Sequence, residues 1–155
     1  MTATSDTESA ERVIPAPADK IFDLLADPSR HRDIDGSGTV RDAKNGSERL
    51  TLGSKFGMSM KAGIPYSMTN EVIEFEVNRR IAWQTKVPYS WAQKLGGGRI
   101  WRYELEPVDG GTRVREIWDI SQEAGLTKSL VARGRDHTVE NMDKTLARIE
   151  EIVTA

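Results

Sequence analysis

The hydrophobic positions of this chain follow two periods, and the change of period divides it. Through the middle, apolar side chains recur at every second residue; near the C-terminus they recur at steps of three and four. Val139, Met142, Leu146, Ile149 and Val153 therefore stack on one side of a helix. Glu140, Asn141, Asp143, Lys144, Arg148, Glu150 and Glu151 cover the other sides. The spacing predicts an amphipathic helix over 126–153 that needs a broad apolar surface to lie on. Val131 and Arg135 project onto the same face, while Leu126 and Leu130 fall on a different stripe. Gly134 sits where the two patterns meet, and a glycine there costs roughly 1 kcal/mol against alanine. A kink is expected at Gly134; a separate short helix ending there is the alternative.

The remaining pattern is mostly that of strands. Glu11 to Ile14 is a short strand stopped by Pro15, and Pro17 suits the first turn of a helix carrying Ile21, Phe22, Leu24 and Leu25. Asp27-Pro28 closes that helix, and a second short helical segment, Ser29 to Ile34, runs into the breaker Asp35-Gly36-Ser37-Gly38. Leu50, Leu52, Phe56, Met58 and Met60 then alternate with polar residues and glycines, as in a half-buried antiparallel strand. Gly53 and Gly57 fall on its outer side and allow it to bend. After a turn at Gly63-Ile64-Pro65, Tyr66, Met68 and Val72 share one parity and Ile73, Phe75 and Val77 the other. A bulge, or burial of both faces, explains the switch. Ile81, Trp83, Thr85 and Val87 form the next strand, then Trp101, Tyr103 and Leu105. Asp109-Gly110-Gly111 is a hairpin signal leading to Val114, Glu116, Trp118 and Ile120. The whole reads as an α+β chain: a curved antiparallel sheet gripping a long C-terminal helix, with two short helices after the first strand.

That order is the order of the helix-grip (Bet v 1-like) fold, and local sequence agrees. The run Ile14-Pro15-Ala16-Pro17-Ala18-Asp19-Lys20-Ile21-Phe22-Asp23-Leu24-Leu25-Ala26-Asp27 resembles the strand-to-helix opening of the START-like superfamily, also called SRPBCC. Arg79-Arg80-Ile81-Ala82-Trp83 and Gly110-Gly111-Thr112-Arg113-Val114 are similar to its strand openings. The chain after its first residues resembles the polyketide cyclase/dehydrase and lipid-transport branch in its actinobacterial form. The resemblance implies the fold and a lipid- or polyketide-like ligand. It carries no catalytic residue over, because no catalytic motif is shared across the superfamily.

Composition narrows the choices. At 155 residues one domain is expected over 10–155, with a disordered tail at 1–9, and the chain is long enough for a single substantial core. The 22 basic residues nearly balance the 24 acidic ones and form no basic block, which argues against nucleic acid as a partner. Cysteine is absent, so disulfides, thiolate nucleophiles and cysteine metal sites are excluded together. The polar start lacks a signal-peptide pattern and no apolar run reaches membrane-spanning length, so a cytoplasmic location without membrane insertion is expected.

By parity, Met58, Met60, Tyr66 and Met68 project toward the helix, as do Trp83, Trp101, Tyr103 and Trp118. With Val139 and Met142 opposite them, these soft and aromatic groups suit a pocket for an apolar ligand. Ordinary core filling is the alternative. Glu116 is the sharper signal, since alternation puts its carboxyl on an apolar face between Val114 and Trp118. Burial without a counter-charge would raise its pKa and equip it as a general acid or base, or as an anchor for a ligand hydroxyl. Arg135, projecting from the helix, is its expected partner; a bulge turning Glu116 outward, or a purely structural pair, is the alternative. His31 is a candidate for the cavity entrance or a surface histidine, and His137 is expected in solvent. Tyr89 and Trp91 beside the glycine run Gly96-Gly97-Gly98 suggest a gate on a hinge, or a homodimer contact. No metal site, nucleotide-binding loop or nucleophile elbow is present in the spacing.

Two functions from different classes fit. One is a cofactor-free binding protein holding an apolar small molecule, with Glu116 and Arg135 as polar anchors. The other is a cyclase or dehydratase in which Glu116 is the general acid/base and Tyr103 or Tyr66 hydrogen-bonds a developing enolate. A protein-interaction module docking through the sheet or the Tyr89–Trp91 loop is a weaker third.

Overall fold

The computed structural model describes residues 5–36, 40–44, 49–62, 64–87, 89–92 and 96–155, with backbone alone at 40–44, 58–62, 64–67 and 90. Strand β1 (Thr7–Ile14) leads into α1 (Ala18–Leu25), a 3-10 turn (Pro28–Arg30) and α2 (His31–Ile34). Then come β2 (Val40–Lys44), β3 (Lys55–Ala62), β4 (Ile64–Glu76), β5 (Arg80–Lys86), β6 (Gly97–Val108) and β7 (Gly111–Asp119). Helices α3 (Gly125–Ala132) and α4 (Arg135–Val153) close the chain. The strands form one antiparallel sheet in the order β1-β7-β6-β5-β4-β3-β2. The first strand thus pairs with the last. It pairs along its whole length with β7, from Thr7 opposite Asp119 to Ile14 opposite Thr112.

The helix-grip arrangement follows from where the apolar faces meet. Helix α4 lies against β1, β7, α1 and α2, burying Met142, Leu146 and Ile149. Helix α1 buries Ile21, Phe22, Leu24 and Leu25, and Ile14, Ile81, Val114 and Trp118 complete the packing from the sheet. Each such aliphatic side chain contributes about 1.5–3 kcal/mol by leaving water. Local chemistry sets the boundaries. Pro17 precedes the first turn of α1, and the Asp27 carboxylate accepts from the Ser29 amide at 3.0 Å, capping the next turn. The two-residue Asp109-Gly110 turn joins β6 to β7, with Gly110 at φ 86°.

Several expectations need correction. Residues 7–9 belong to β1 rather than to a tail; their side chains are polar, so only pairing with β7 reveals the strand. The strand expected from Leu50 begins at Lys55: Leu50 is buried, Leu52 is exposed, and Gly53 at φ 83° turns the chain just before the strand. Strand β2 was not anticipated. The parity switch in β4 is a bulge, since Val72 faces Trp83 while Glu74 faces Ala82. At Gly134 the helix breaks in two. Leu126 and Leu130 on α3 are exposed, so no shared apolar face holds α3 and α4 in line. Among the described residues, no helix is long and apolar enough to cross a membrane.

Candidate functional site

Glu116 occupies the middle of β7, flanked on the inner face by Val114 and Trp118, and is 3% exposed. Its cross-strand neighbours are Tyr103 on β6 and Ala10 on β1. The Tyr103 hydroxyl donates to Glu116 Oε2 at 2.9 Å, while Oε1 is buried without a partner among the described residues. Burial, opposed by the hydrogen bond from Tyr103 and helped by the charges of Asp35 and Asp143, raises the Glu116 pKa to about 8. Burial, then the Glu116 charge, holds the Tyr103 phenol well above its usual range. Near neutral pH the pair is therefore a carboxylic acid beside a phenol. Glu116 can give a proton; Tyr103 keeps its own and donates it as a hydrogen bond to Glu116.

An aromatic stack continues from Tyr103. Its ring lies 5.7 Å from Trp83, and His31 stacks on the far side of the cluster, 4.8 Å from Trp83 at 20°. Phe56 sets its edge against both, 5.5 Å from His31 and 5.7 Å from Trp83. His31 is thus a core residue, 6% exposed, which corrects its expected place at an entrance or surface. Its Nε2 lies 2.8 Å from the Leu25 carbonyl, and a carbonyl can only accept, so Nε2 carries the hydrogen. Burial lowers its pKa, leaving it neutral. The sequence could not show this, because the short helix bearing His31 is folded under the sheet by the loop that follows. There Gly36 donates its amide to Thr145 on α4 at 2.9 Å, and Arg148 donates to the Asp35 carbonyl at 2.6 Å.

The expected pairing of Glu116 with Arg135 is not formed. Arg135 Nη1 lies 2.8 Å from Glu8 Oε1, and its guanidinium sits 5.6 Å above the Trp118 ring. The reason is the edge strand. Glu8 stands opposite Trp118 on β1, whereas Ala10 stands opposite Glu116, so the arginine meets a carboxylate before reaching β7. Arg12 makes the companion contact to Glu150 at 3.0 Å. These two ion pairs tie β1 to α4.

Of the other predicted lining residues, Trp83, Trp118 and Met142 are buried, while Met68, Trp101 and Val139 are half-buried. Partial exposure on the inner face places an open end of the concave surface near Trp101. The side chains of Met58, Met60 and Tyr66 lie outside the described residues; register sets Met58 opposite Met68 and Met60 opposite Tyr66. Tyr89 and Trp91 are 62% and 76% exposed and face each other at 6.2 Å, apart from His31, so the three expected gate residues are not brought together. The glycines beside them are not a free hinge. Gly97 and Gly98 are in β6 at φ 85° and 114°, and a side chain on Gly98 would strike the Gln122 carbonyl. His137 is exposed.

Sequence reasoning missed two polar groups, although the signal that exposed Glu116 also marks them. Asn70 shares parity with Met68 and Val72; it accepts from Thr85 at 2.7 Å in a buried pair. Arg99 shares parity with Trp101 and Tyr103, and its Nη2 lies 3.5 Å from Glu123. Among the described residues, no group of three His, Cys, Asp or Glu could hold a metal. An open depression of about 890 Å³ lies away from Glu116, lined by Glu104, Glu106, Arg113 and Arg115 among others. Its charges are matched in ion pairs such as Arg113–Glu106 at 3.2 Å, which suits solvent rather than an apolar ligand.

Comparison with known proteins follows this geometry. A family model described as polyketide cyclase / dehydrase and lipid transport matches residues 7–153. An uncharacterised protein of Mycobacterium tuberculosis strain H37Rv is 35% identical over 119 residues, 76% of this chain and 49% of that protein. The chain spans about half the length of the curated relatives it matches. A crystal structure from Chromobacterium violaceum superposes with a TM-score of 0.72 at 15% identity, covering 97% of this chain and 98% of that one. The solution structure of an AHSA1-like protein from Aeromonas hydrophila gives 0.64 at 19%, covering 94% and 93%. At these identities the structural likeness shows the fold.

Proposed function

The chain belongs to the polyketide cyclase/dehydrase and lipid transport family, and on that premise we propose that it binds an apolar small molecule between the sheet and α4. The Tyr103–Glu116 pair is the polar anchor at the base of this site, and the binding protein works in the cytoplasm. One observation carries the reading: Glu116 is a buried carboxyl with one oxygen bonded to Tyr103 and the other without a partner among the described residues. A structural carboxyl satisfies both oxygens, and leaving one bare costs about 1–3 kcal/mol. A ligand oxygen or hydroxyl at Oε1 removes that cost. The half-buried Trp101, Met68 and Val139 supply apolar contact beside it.

The raised pKa favours a second reading, a cyclase or dehydratase. A carboxyl still protonated near pH 7 is a general acid rather than a base, able to protonate a departing hydroxyl from Oε1 while the Tyr103 hydroxyl holds Oε2 in place. Native mass spectrometry of the protein from its own host, with solvent extraction, tests the binding. A co-purifying apolar molecule supports both readings. The binding reading then expects Glu116→Gln to keep most of the affinity, whereas the enzyme reading expects turnover to vanish with affinity intact. Absence of any bound molecule, together with failure of apolar probes to bind, overturns both.

A further inference from the structure

Arg99 and Glu123 form a second polar cluster at the half-exposed end of the concave face. Arg99 lies two residues before Trp101 at a bulge in β6: Ile100 stands opposite Gln84 and Gly97 opposite Lys86, so Gly98 and Arg99 together stand across from Thr85, whose hydroxyl pairs with the buried Asn70. Glu123 has no exposed side-chain surface, and its Oε1 accepts from Thr127 at 2.9 Å. Its contact with Arg99 is a single long one, 3.5 Å, against 2.6 Å for Arg102–Glu74. Arg99 Nε and Glu123 Oε2 are both buried without a hydrogen-bond partner among the described residues. A guanidinium presents five N–H donors in a fork that suits a carboxylate on two of them. Here one loose contact engages Nη2, Nε has no partner among the described residues, and the side chain keeps 29% of its exposure.

Resting on the binding function proposed above, we propose that Arg99 is an anion-accepting anchor of the same site. The ligand is then amphipathic: a carboxylate held by Arg99, an apolar body lying along Trp101, and a neutral oxygen at Tyr103–Glu116. The two anchors stand four residues apart on one strand, ~13 Å at about 3.3 Å per residue. That span fits a medium-length acyl chain or an extended ring system and is too long for a small hydroxy acid. Trp101 lies midway between them on that strand, where a flat or flexible apolar body can rest on its ring.

The test compares laurate with methyl laurate by titration calorimetry, with Trp fluorescence as a second readout. Laurate is expected to bind roughly tenfold or more tightly than the ester, the scale of a charge-assisted bidentate contact. Arg99→Gln is expected to erase that preference, and Glu123→Gln, which removes the competing carboxylate, to strengthen laurate binding. If the ester binds as tightly as the acid to the unmodified protein, the anion anchor is overturned while the apolar site stands. If neither binds, the apolar-ligand reading fails and this inference with it. The comparison on the unmodified protein holds even if a variant does not fold.

Discussion

The Tyr103 hydroxyl donates to Glu116 Oε2 at 2.9 Å across adjacent strands, directly opposite in register, while Glu116 Oε1 meets no partner among the described residues. Cross-strand pairs on one face are the closest side-chain neighbours a sheet offers. This pair is therefore held by backbone register rather than by flexible reach, and it is preorganised before any ligand arrives.

Tyr103→Phe leaves the ring in place and removes only the donor. The bond to Tyr103 lowers the Glu116 pKa, so its loss is expected to move that pKa further above about 8. Stability should fall by about 1–2 kcal/mol, because a buried acceptor loses its donor. Infrared titration of the carboxyl stretch reads the first effect and urea unfolding the second. An unmoved titration would show that the hydroxyl and the carboxyl are not coupled.

The pH dependence of stability has two opposing limbs. Glu116 holds its proton up to about 8 in the fold but only to its ordinary 4.5 when unfolded. Across that window the folded state binds more protons, so its contribution is lost as pH rises. His31 has a lowered pKa, below its ordinary 6.5, so the unfolded state binds more protons there and stability falls on acidification below that value. Glu116→Gln is accordingly expected to gain in Tm over the unmodified protein as pH rises from 4.5 to 8. His31→Phe keeps a ring on Trp83 and should flatten the acid limb, at a pH-independent cost of about 1 kcal/mol for the lost bond to Leu25. Parallel Tm profiles for all three proteins would contradict both assignments.

Gly36 marks the contact that folds α2 under the sheet. A methyl group there would fall on the Asn141 carbonyl and crowd Thr145 N at 2.8 Å, both backbone atoms of α4. Gly36→Ala is expected to destabilise by about 1–3 kcal/mol through forced separation of loop and helix. Chemical denaturation measures it, and a change below 0.5 kcal/mol, the scale of an ordinary surface substitution at about that size, would mean the loop yields freely.

Arg135→Ala separates the observed partner from the expected one. It loses a half-exposed ion pair with Glu8 and the contact over Trp118, together about 1 kcal/mol. The Glu116 titration should stay where it is. A downward or upward move of that titration on removing Arg135 would indicate a direct pairing that the geometry does not contain.

The sequence alone determined which residues face inward. Periods of two and of three-to-four are properties of backbone geometry, so the central strands, the helix carrying Met142, Leu146 and Ile149, the hairpin at Asp109-Gly110, and the anomaly of a carboxyl at Glu116 were legible before any coordinates. The tertiary structure alone decided what each inward group meets. Strand β1 begins with polar residues and finds β7 across more than a hundred residues of chain, so local pattern neither showed its start nor revealed that Glu8 would take Arg135. His31 sits on too short a helix for periodicity to aim it, and its burial depends on Gly36 touching α4. Loose ends such as Arg99 and Glu123 arise where β6 meets the turn before α3, a meeting set by packing. Facing follows from the local backbone, and partners follow from long-range closure of the chain, which only the folded molecule contains.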